Sequence, residues 1–213
     1  IYRKNDKTSH DNLKSEFCSV FPDYYDSHCW DDISQYFFTC SDILDVVDLL
    51  KVGKAYVGQI KAEHIMNSSP KLLVHLRLLF NSMLQHGFVP SLLLRGNISP
   101  LVKDRDGDLS DSANYRAVTL SSIFIQMFEK LERSKFGYFL PDDDMQFGFK
   151  SKISTSHAIF SLKKTVNYFN KKGSRVFLSF LDCSKAFDRI SHWGLFVKLI
   201  NRKVPLCFLL CVA

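Results

Sequence analysis

The carboxyl-terminal third of this sequence contains almost no acidic residues. Residues 145–213 hold twelve Lys or Arg against two Asp, a net charge of +10, whereas residues 1–50 hold four against ten, a net charge of −6. Residues 51–144 carry +2 and the whole chain carries +6. A basic region around two isolated carboxylates favours a polyanion held near a metal ion. The alternative is a solvated basic face without a ligand.

Paired cysteines are also missing. The six cysteines form no C-x-x-C pair, and no histidine lies close enough in sequence to Cys207 and Cys211 to complete a zinc site. We therefore predict free, mostly buried thiols in the reducing environment of an intracellular protein.

We expect neither a signal peptide nor a membrane span in this sequence. Its first residues are polar and charged, which argues against a signal peptide. The most apolar helical run, residues 72–80, is short and contains His75 and Arg77, so we predict no membrane span. Because the chain starts at Ile1 without Met and stops inside an apolar run, we expect a fragment cut at both ends.

The most informative stretch is an apolar run, residues 176–181, that ends abruptly in Asp182. The run predicts a buried strand, and a second carboxylate, Asp188, follows six residues after the first. A charge at the end of a buried strand is costly unless it is paired or holds a cation. The pattern alone leaves two roles open for Asp182, a metal ligand or the cap of the following turn.

Hydrophobic periodicity and capping residues predict a helix-rich chain with few strands. Residues 1–40 are predicted to be irregular apart from one short helix, residues 11–20, that Pro22 ends. Strands are predicted from near Ile98 and at residues 117–120. Further helices are predicted at residues 41–51, 62–66, 70–85, 122–140, 155–170, 192–201 and after Pro205.

A second candidate for chemistry lies at residues 146–150, where two phenylalanines flank a glycine and a lysine follows. Aromatic rings beside a glycine and a cation suit stacking on bases with close backbone approach. Phosphoryl transfer by two metal ions requires carboxylates fixed at a strand end and cations that neutralise phosphates. Asp182 and the basic third of the chain match these requirements.

Ordered motifs along the chain resemble the reverse transcriptase of non-LTR (LINE/jockey-like) retrotransposons. They lie at residues 101–104, 107–111, 114–116, 146–150 and 180–188, and residues 53–55 and 62–64 match the segment upstream. The resemblance implies an α+β fold, the fingers and first part of the palm of a right-hand polymerase, truncated before the paired-aspartate hairpin. The fingers would span about 41–172 and the start of the palm about 173–213. Residues 1–40 would be a connector from a missing upstream domain.

The resemblance also implies a role for individual residues. Asp182 would be the first catalytic, metal-binding carboxylate, and the carbonyl of Cys183 would be available to the second metal. The residues implied to bind the nucleotide are Arg116, Lys185, Ala186 and Phe187. Those implied to contact template and primer are Gln146, Gly148, Phe149 and Lys150.

The resemblance further implies Mg²⁺ or Mn²⁺ as cofactor and a deoxynucleoside triphosphate as substrate. The implied partners are an RNA template and a DNA primer, without a membrane, and an upstream endonuclease domain would be compatible with a longer protein. The predicted function is therefore RNA-directed DNA polymerase activity, by template-directed nucleotidyl transfer.

The sequence departs from the family pattern in ways that bear on activity. The paired-aspartate turn that supplies the other catalytic carboxylates is missing, since aspartates are adjacent only at residues 31–32 and 142–144. Gln126 replaces a lysine of the fingers, and Gly96 interrupts an apolar strand. We therefore predict a chain that is inactive alone. The alternatives are a non-catalytic nucleic-acid-binding remnant with a basic groove, and a metal-dependent nuclease that uses Asp182 and Asp188.

Overall fold

In the computed structural model of this protein, the chain divides into two compact units. Unit 1 comprises Ile1–Phe139 and Trp193–Ala213, and unit 2 comprises Leu140–His192. The structure describes residues 2–29, 31–141, 143–182, 186 and 189–213, with side chains from residue 9 onward. Unit 1 is thus assembled from two segments that are far apart in sequence.

Helices dominate both units. Within the described residues the α-helices are α1 (Tyr2–His28), α2 (Cys40–Asp48), α3 (Ala62–Met66), α4 (Pro70–His86), α5 (Ser91–Leu94), α6 (Ile123–Phe136), α7 (Thr155–Lys171), α8 (His192–Asn201) and α9 (Leu206–Val212). Short 3-10 turns occur at Ser34–Tyr36, Ser112–Asn114 and Gly137–Phe139. Across this described part of the chain, no helix combines the length and the apolar character that crossing a bilayer requires.

A two-stranded antiparallel sheet in unit 1 joins β1 (Asn97–Val102) to β2 (Tyr115–Leu120). Asn97 lies opposite Leu120, and Val102 lies opposite Tyr115. Both strands agree with the sequence prediction. The glycine that precedes β1 is required by this pairing, because a Cβ at Gly96 would lie 2.5 Å from the Thr119 side chain.

Several helices form at or near their predicted bounds, and polar side chains cap α2, α4 and α6. The helices α3 and α8 have the predicted bounds, and α4 ends one residue later than predicted. The hydroxyl of Ser122 accepts a hydrogen bond from the backbone N–H of Ile125 and so begins α6. The helix α2 begins at Cys40 rather than at residue 41, because Thr39 caps it and Asp42 completes a capping box with Thr39.

The predicted irregular structure of the amino-terminal segment is wrong, because α1 continues through Pro22 to His28. A proline inside a helix costs about 3 kcal/mol. Packing on both sides of Pro22 offsets that cost. The ring of Phe17 lies 5.3 Å from the ring of Trp193, and the hydroxyl of Tyr24 donates a hydrogen bond to the carbonyl of Val204. The two ends of the chain therefore pack together in unit 1.

The core of unit 1 is rich in phenylalanine. Phe80 and Phe128 are fully buried with ring centroids 5.6 Å apart, and Phe136 stacks on Phe208 at 4.7 Å. The buried amide of Asn81 accepts a hydrogen bond from the N–H of Phe38 (2.7 Å) and donates one to its carbonyl (3.0 Å). Asn81 thereby satisfies the backbone hydrogen-bonding groups of Phe38, a buried residue that precedes α2.

The predicted buried strand at residues 176–181 is wrong. These residues have no regular secondary structure, and Phe177 and Leu181 are 90% and 97% exposed. A strand needs a neighbour to satisfy its backbone groups, and the two strands of the described residues pair with each other. Asp182 is exposed as well, so burial imposes no cost on its charge.

The five described cysteines are free, as predicted, but most of them are not buried. Cys18 and Cys40 are exposed, Cys29 and Cys211 are half-buried, and Cys207 is buried. Cys18 is exposed because it lies on α1, in which Tyr24 is the one buried apolar side chain among the described residues.

Candidate functional site

The loop between β1 and β2 is held closed by side chains of the motif at residues 104–115. The amide of Asn114 accepts a hydrogen bond from the backbone N–H of Asp104 (2.9 Å) and donates to the carbonyls of Asp104 (2.7 Å) and Asp108 (3.2 Å). The hydroxyl of Tyr115 donates to the carbonyl of Leu109 (2.8 Å). One amide and one hydroxyl therefore tie the loop to the strand that follows it.

The aspartates of this loop shape its backbone. The carboxylate of Asp108 accepts hydrogen bonds from the hydroxyl (2.7 Å) and the backbone N–H (2.8 Å) of Ser110, and these two bonds lower the pKa of Asp108. Asp111 accepts from the backbone N–H of Ala113 at 2.8 Å. These carboxylates are used in local turns.

Arg116 is positioned by the loop and by the strand register. It lies on β2 opposite Leu101, two residues after Asn114, and it is exposed. An exposed arginine next to a rigid loop can contact a phosphate through two parallel hydrogen bonds. The structure places Arg116 in unit 1.

The motif at residues 146–150 forms a compact turn in unit 2, organised by Asp143. The carboxylate of Asp143 accepts a hydrogen bond from the N–H of Met145 (2.8 Å), and its carbonyl accepts from the N–H of Gln146 (3.0 Å) and from the ammonium of Lys150. The side-chain amide of Gln146 donates to the carbonyl of Gly148 (3.0 Å). Gln146 and Lys150, both predicted to contact template, thus each use one donor to hold the turn.

The same turn presents Phe149 to solvent. The side chain is 80% exposed and its backbone is left-handed, with φ of 62°. For a residue with a side chain this conformation costs roughly 1–2 kcal/mol. Gly148 has no such φ, and a Cβ added there would meet no atom within 4 Å. The fold itself therefore does not require glycine at 148, which is consistent with close approach by a ligand.

The remaining predicted site residues that the structure describes, Asp182 and Ala186, belong to unit 2. Asp182 and Ala186 are exposed. Cys183, Lys185 and Phe187, which were predicted to bind the metal or the nucleotide, lie outside the described residues, as does Asp188. In the described ranges, no three His, Cys, Asp or Glu side chains come together in a way that could hold a metal ion.

Sequence reasoning did not identify the part that Asn114 plays in the loop. A side-chain amide can donate and accept hydrogen bonds at once. Asn114 stands between turn-forming aspartates and a strand, where such a side chain can bond the loop backbone. That combination is the signal from which its role was predictable.

Comparison with known proteins gives one informative similarity. The sequence matches no protein-family profile. It is 26% identical over 178 residues to an RNA-directed DNA polymerase from mobile element jockey of Drosophila funebris, a similarity that covers 80% of this chain and 19% of that protein. The chain thus spans about a fifth of the length of this curated relative. The similarity supports a reverse-transcriptase-like relationship.

Proposed function

We propose that this chain provides the template- and nucleotide-contacting part of an RNA-directed DNA polymerase of the retrotransposon type. The similarity to the jockey polymerase carries the proposal. Because the match covers 80% of the chain, it includes both loops described above wherever it begins and ends. In both loops, residues of the motifs make hydrogen bonds that hold the turn.

In this proposal the nucleotide and the template are bound by different groups. Arg116 binds a phosphate of the nucleotide or template from the rigid hairpin loop. Phe149 stacks on a template base, and Gly148 lets the nucleic acid approach the backbone. Gln146 and Lys150 contribute their remaining donors, since an amide nitrogen carries two and an ammonium three.

The residues around Asp182 complete the proposed assignment. In this assignment Asp182 is the catalytic, metal-binding carboxylate, and Cys183, whose carbonyl serves the second metal, follows it in sequence. Lys185, Ala186 and Phe187 follow it as the nucleotide-binding segment. The proposed architecture is that of the fingers and the first part of the palm of a right-hand polymerase, and unit 2 contains the proposed fingers turn.

Binding of nucleic acid without chemistry is the second candidate function. The sequence has no paired-aspartate turn, and the described residues contain no cluster of three metal-binding side chains. Both observations favour a chain that holds nucleic acid but does not extend a primer by itself.

Both candidates are tested by measuring RNA binding and primer extension on the same protein. We expect the purified chain to bind an RNA template annealed to a DNA primer, with affinity that falls steeply between 50 and 200 mM salt (about 10-fold or more) because lysines displace counterions. We expect no primer extension with deoxynucleotides and Mg²⁺. Phe149→Ala is expected to weaken binding about 10-fold through lost stacking.

Phe88→Ala is the matched control, since Phe88 is 62% exposed in unit 1 and belongs to neither motif. Failure to bind the template-primer at low salt would refute the proposed function. Primer extension that Asp182→Asn abolishes would show that the chain is catalytic alone, contrary to our expectation, whereas binding without extension agrees with both candidates and with an inactive isolated chain.

A further inference from the structure

One face of α7 in unit 2 carries lysines and aromatic rings at helical spacing. Phe160, Lys164, Asn167, Tyr168 and Lys171 lie at i, i+4, i+7, i+8 and i+11, so they share one side of the helix. We call these five residues the lysine–aromatic stripe. The apolar residues Ile159, Leu162 and Val166 lie on the opposite side.

The stripe is open to solvent. No residue of α7 is buried, and Phe160 and Tyr168 are 61% and 54% exposed. Four of the five stripe residues, together with Thr165 and Phe169, line an open groove on unit 2. A ligand can therefore reach the stripe without any change in the helix.

Positive charge and aromatic surface are combined in this stripe and at Lys172 beside it. The ammonium of Lys164 lies 5.3 Å from the centre of the Phe160 ring, and that of Lys172 lies 4.5 Å from the centre of the Tyr168 ring. Such contacts between cations and ring faces hold the charges beside the rings. A ligand that binds both must present negative charge and flat apolar surface at short spacing.

The charge of the surrounding segment limits the ligand to a polyanion. Residues 145–181 contain seven Lys or Arg and no Asp or Glu. None of these seven cations forms a salt bridge with a residue that the structure describes. A strand with one phosphate per nucleotide and exposed bases matches both the charge and the rings. Duplexes do not match, because their bases are stacked on each other and unavailable to the rings.

We propose that the lysine–aromatic stripe of α7 binds single-stranded RNA, at a site separate from the turn at residues 146–150. Lys164 and Lys171 contact phosphates, and Tyr168 and Phe160 stack on bases. The choice of RNA rests on the proposed function, whereas the choice of a single strand rests on the exposed rings. The stripe thus holds an unpaired stretch of template.

The test measures the affinity of the whole chain for a fluorescein-labelled, unstructured 12-nucleotide RNA by anisotropy at several salt concentrations. Tyr168→Ala is expected to weaken binding about 10-fold without changing the salt dependence, and Tyr168→Phe is expected to bind like the original. The double variant Lys164→Gln/Lys171→Gln is expected to lower the slope of log affinity against log salt by about 1.4, since each lost phosphate contact on a single strand contributes about 0.7.

Matched controls separate the stripe from general charge and from the turn. Lys198→Gln/Arg202→Gln removes the same charge from exposed positions of unit 1 and is expected to leave the slope unchanged. Circular dichroism of each variant checks that the helices are retained. Phe149→Ala, measured in parallel, reports on the turn.

Each outcome has a defined meaning. Unchanged RNA affinity of Tyr168→Ala would refute RNA binding by the stripe. An equal loss of slope in Lys198→Gln/Arg202→Gln would refute it as well. Equal affinity and equal variant effects with duplex RNA or with single-stranded DNA would refute its assignment to single-stranded RNA. If Phe149→Ala weakens RNA binding and the stripe variants do not, RNA binding by the stripe is refuted and the proposed function is retained. If the unmodified chain binds no RNA, the proposed function itself fails.

Discussion

Glu132 is a single residue with a large effect on how unit 1 responds to pH. Its side chain is 7% exposed, and its Oε1 has no hydrogen-bond partner among the described residues. Burial, together with the nearby carboxylate of Glu129, raises the pKa of Glu132 to about 8. The thiols of Cys207 and Cys211 on α9 lie near the same carboxyl and have pKa values of about 11 and about 12, raised chiefly by burial. Glu132 is therefore held neutral at pH 7.

The raised pKa predicts that Glu132 destabilises the protein as the pH increases. In the unfolded chain the carboxyl ionises near pH 4.5, and in the folded chain near pH 8, so its contribution is complete below pH 4.5 and is lost as the pH rises through 8. Glu132→Gln is expected to match the original protein at pH 4.5 and to exceed it at pH 8.5 by several kcal/mol in free energy of unfolding, roughly 1.4 kcal/mol per unit of pKa shift. Urea unfolding at both pH values measures the difference.

Glu16→Gln is the control for this prediction, because Glu16 is exposed on α1. It is expected to change the free energy of unfolding by the same small amount at both pH values. If Glu132→Gln showed no greater pH effect than Glu16→Gln, the carboxyl of Glu132 would have to be solvated or paired.

Gly87 is a residue at which both backbone conformation and packing require glycine. It ends α4 with a left-handed φ of 55°, and a Cβ would lie 2.6 Å from the Cβ of Leu210 on α9. Gly87→Ala is expected to lower the free energy of unfolding by about 2–4 kcal/mol, from backbone strain plus overpacking.

Gly137, with φ of −57° and no atom within 4 Å of an added Cβ, offers the matched comparison. Thermal unfolding should show Gly137→Ala unchanged or slightly more stable, and an equal loss in both variants would contradict the packing of α9 on Gly87.

The hairpin loop is the element in which one side chain determines local stability. Asn114→Ala removes three hydrogen bonds to Asp104 and Asp108, so we expect the loop to open more readily by about 1–2 kcal/mol. Hydrogen exchange at the Asp104 amide should then be roughly 5–30 times faster. Ser112→Ala, in the same loop, is expected to leave that rate unchanged. Equal exchange rates in the two variants would show that backbone hydrogen bonds alone hold the loop.

Elements differ in how well local sequence determines them. The helices α3 and α8 were predictable because their apolar residues repeat at helical spacing and Pro205 follows the second. The prediction of a strand at residues 176–181 was wrong, because an apolar run does not reveal whether another strand lies beside it. The continuation of α1 through Pro22 depends on contacts with Trp193 and Val204, which are about 170 to 180 residues away in sequence.

The candidate site shows the same limit. Motif residues at 114–116 and 146–150 could be located from the sequence, and both prove to form ordered turns. The left-handed backbone of Phe149 could not be foreseen, because only glycine and asparagine favour that conformation locally. The role of Asp143 in that turn was also missed, since an acidic run at residues 142–144 usually indicates only the end of a helix.

At the scale of the whole molecule, the partition of charge predicts where RNA is bound. Residues 1–50 carry a net charge of −6 and residues 145–213 carry +10. Ultraviolet crosslinking to single-stranded RNA followed by mass spectrometry should therefore give adducts within residues 145–181 and none within residues 9–50. Crosslinking in 1 M salt is the control and should remove the adducts, since the Debye length there is about 3 Å. Adducts concentrated in the acidic segment would contradict the proposed mode of binding.

The division of unit 1 between two distant segments has a consequence for synthesis on the ribosome. The helix α1 is made early, but its partners Trp193 and Val204 are made only after residues 140–192 have been added. At 5–20 residues per second, adding residues 140–192 alone takes roughly 3–10 s. During this time the aromatic face of α1 lacks its partners in the nascent chain while the basic segment emerges. Chaperone binding to the nascent chain is accordingly expected to persist until α8 and α9 leave the exit tunnel.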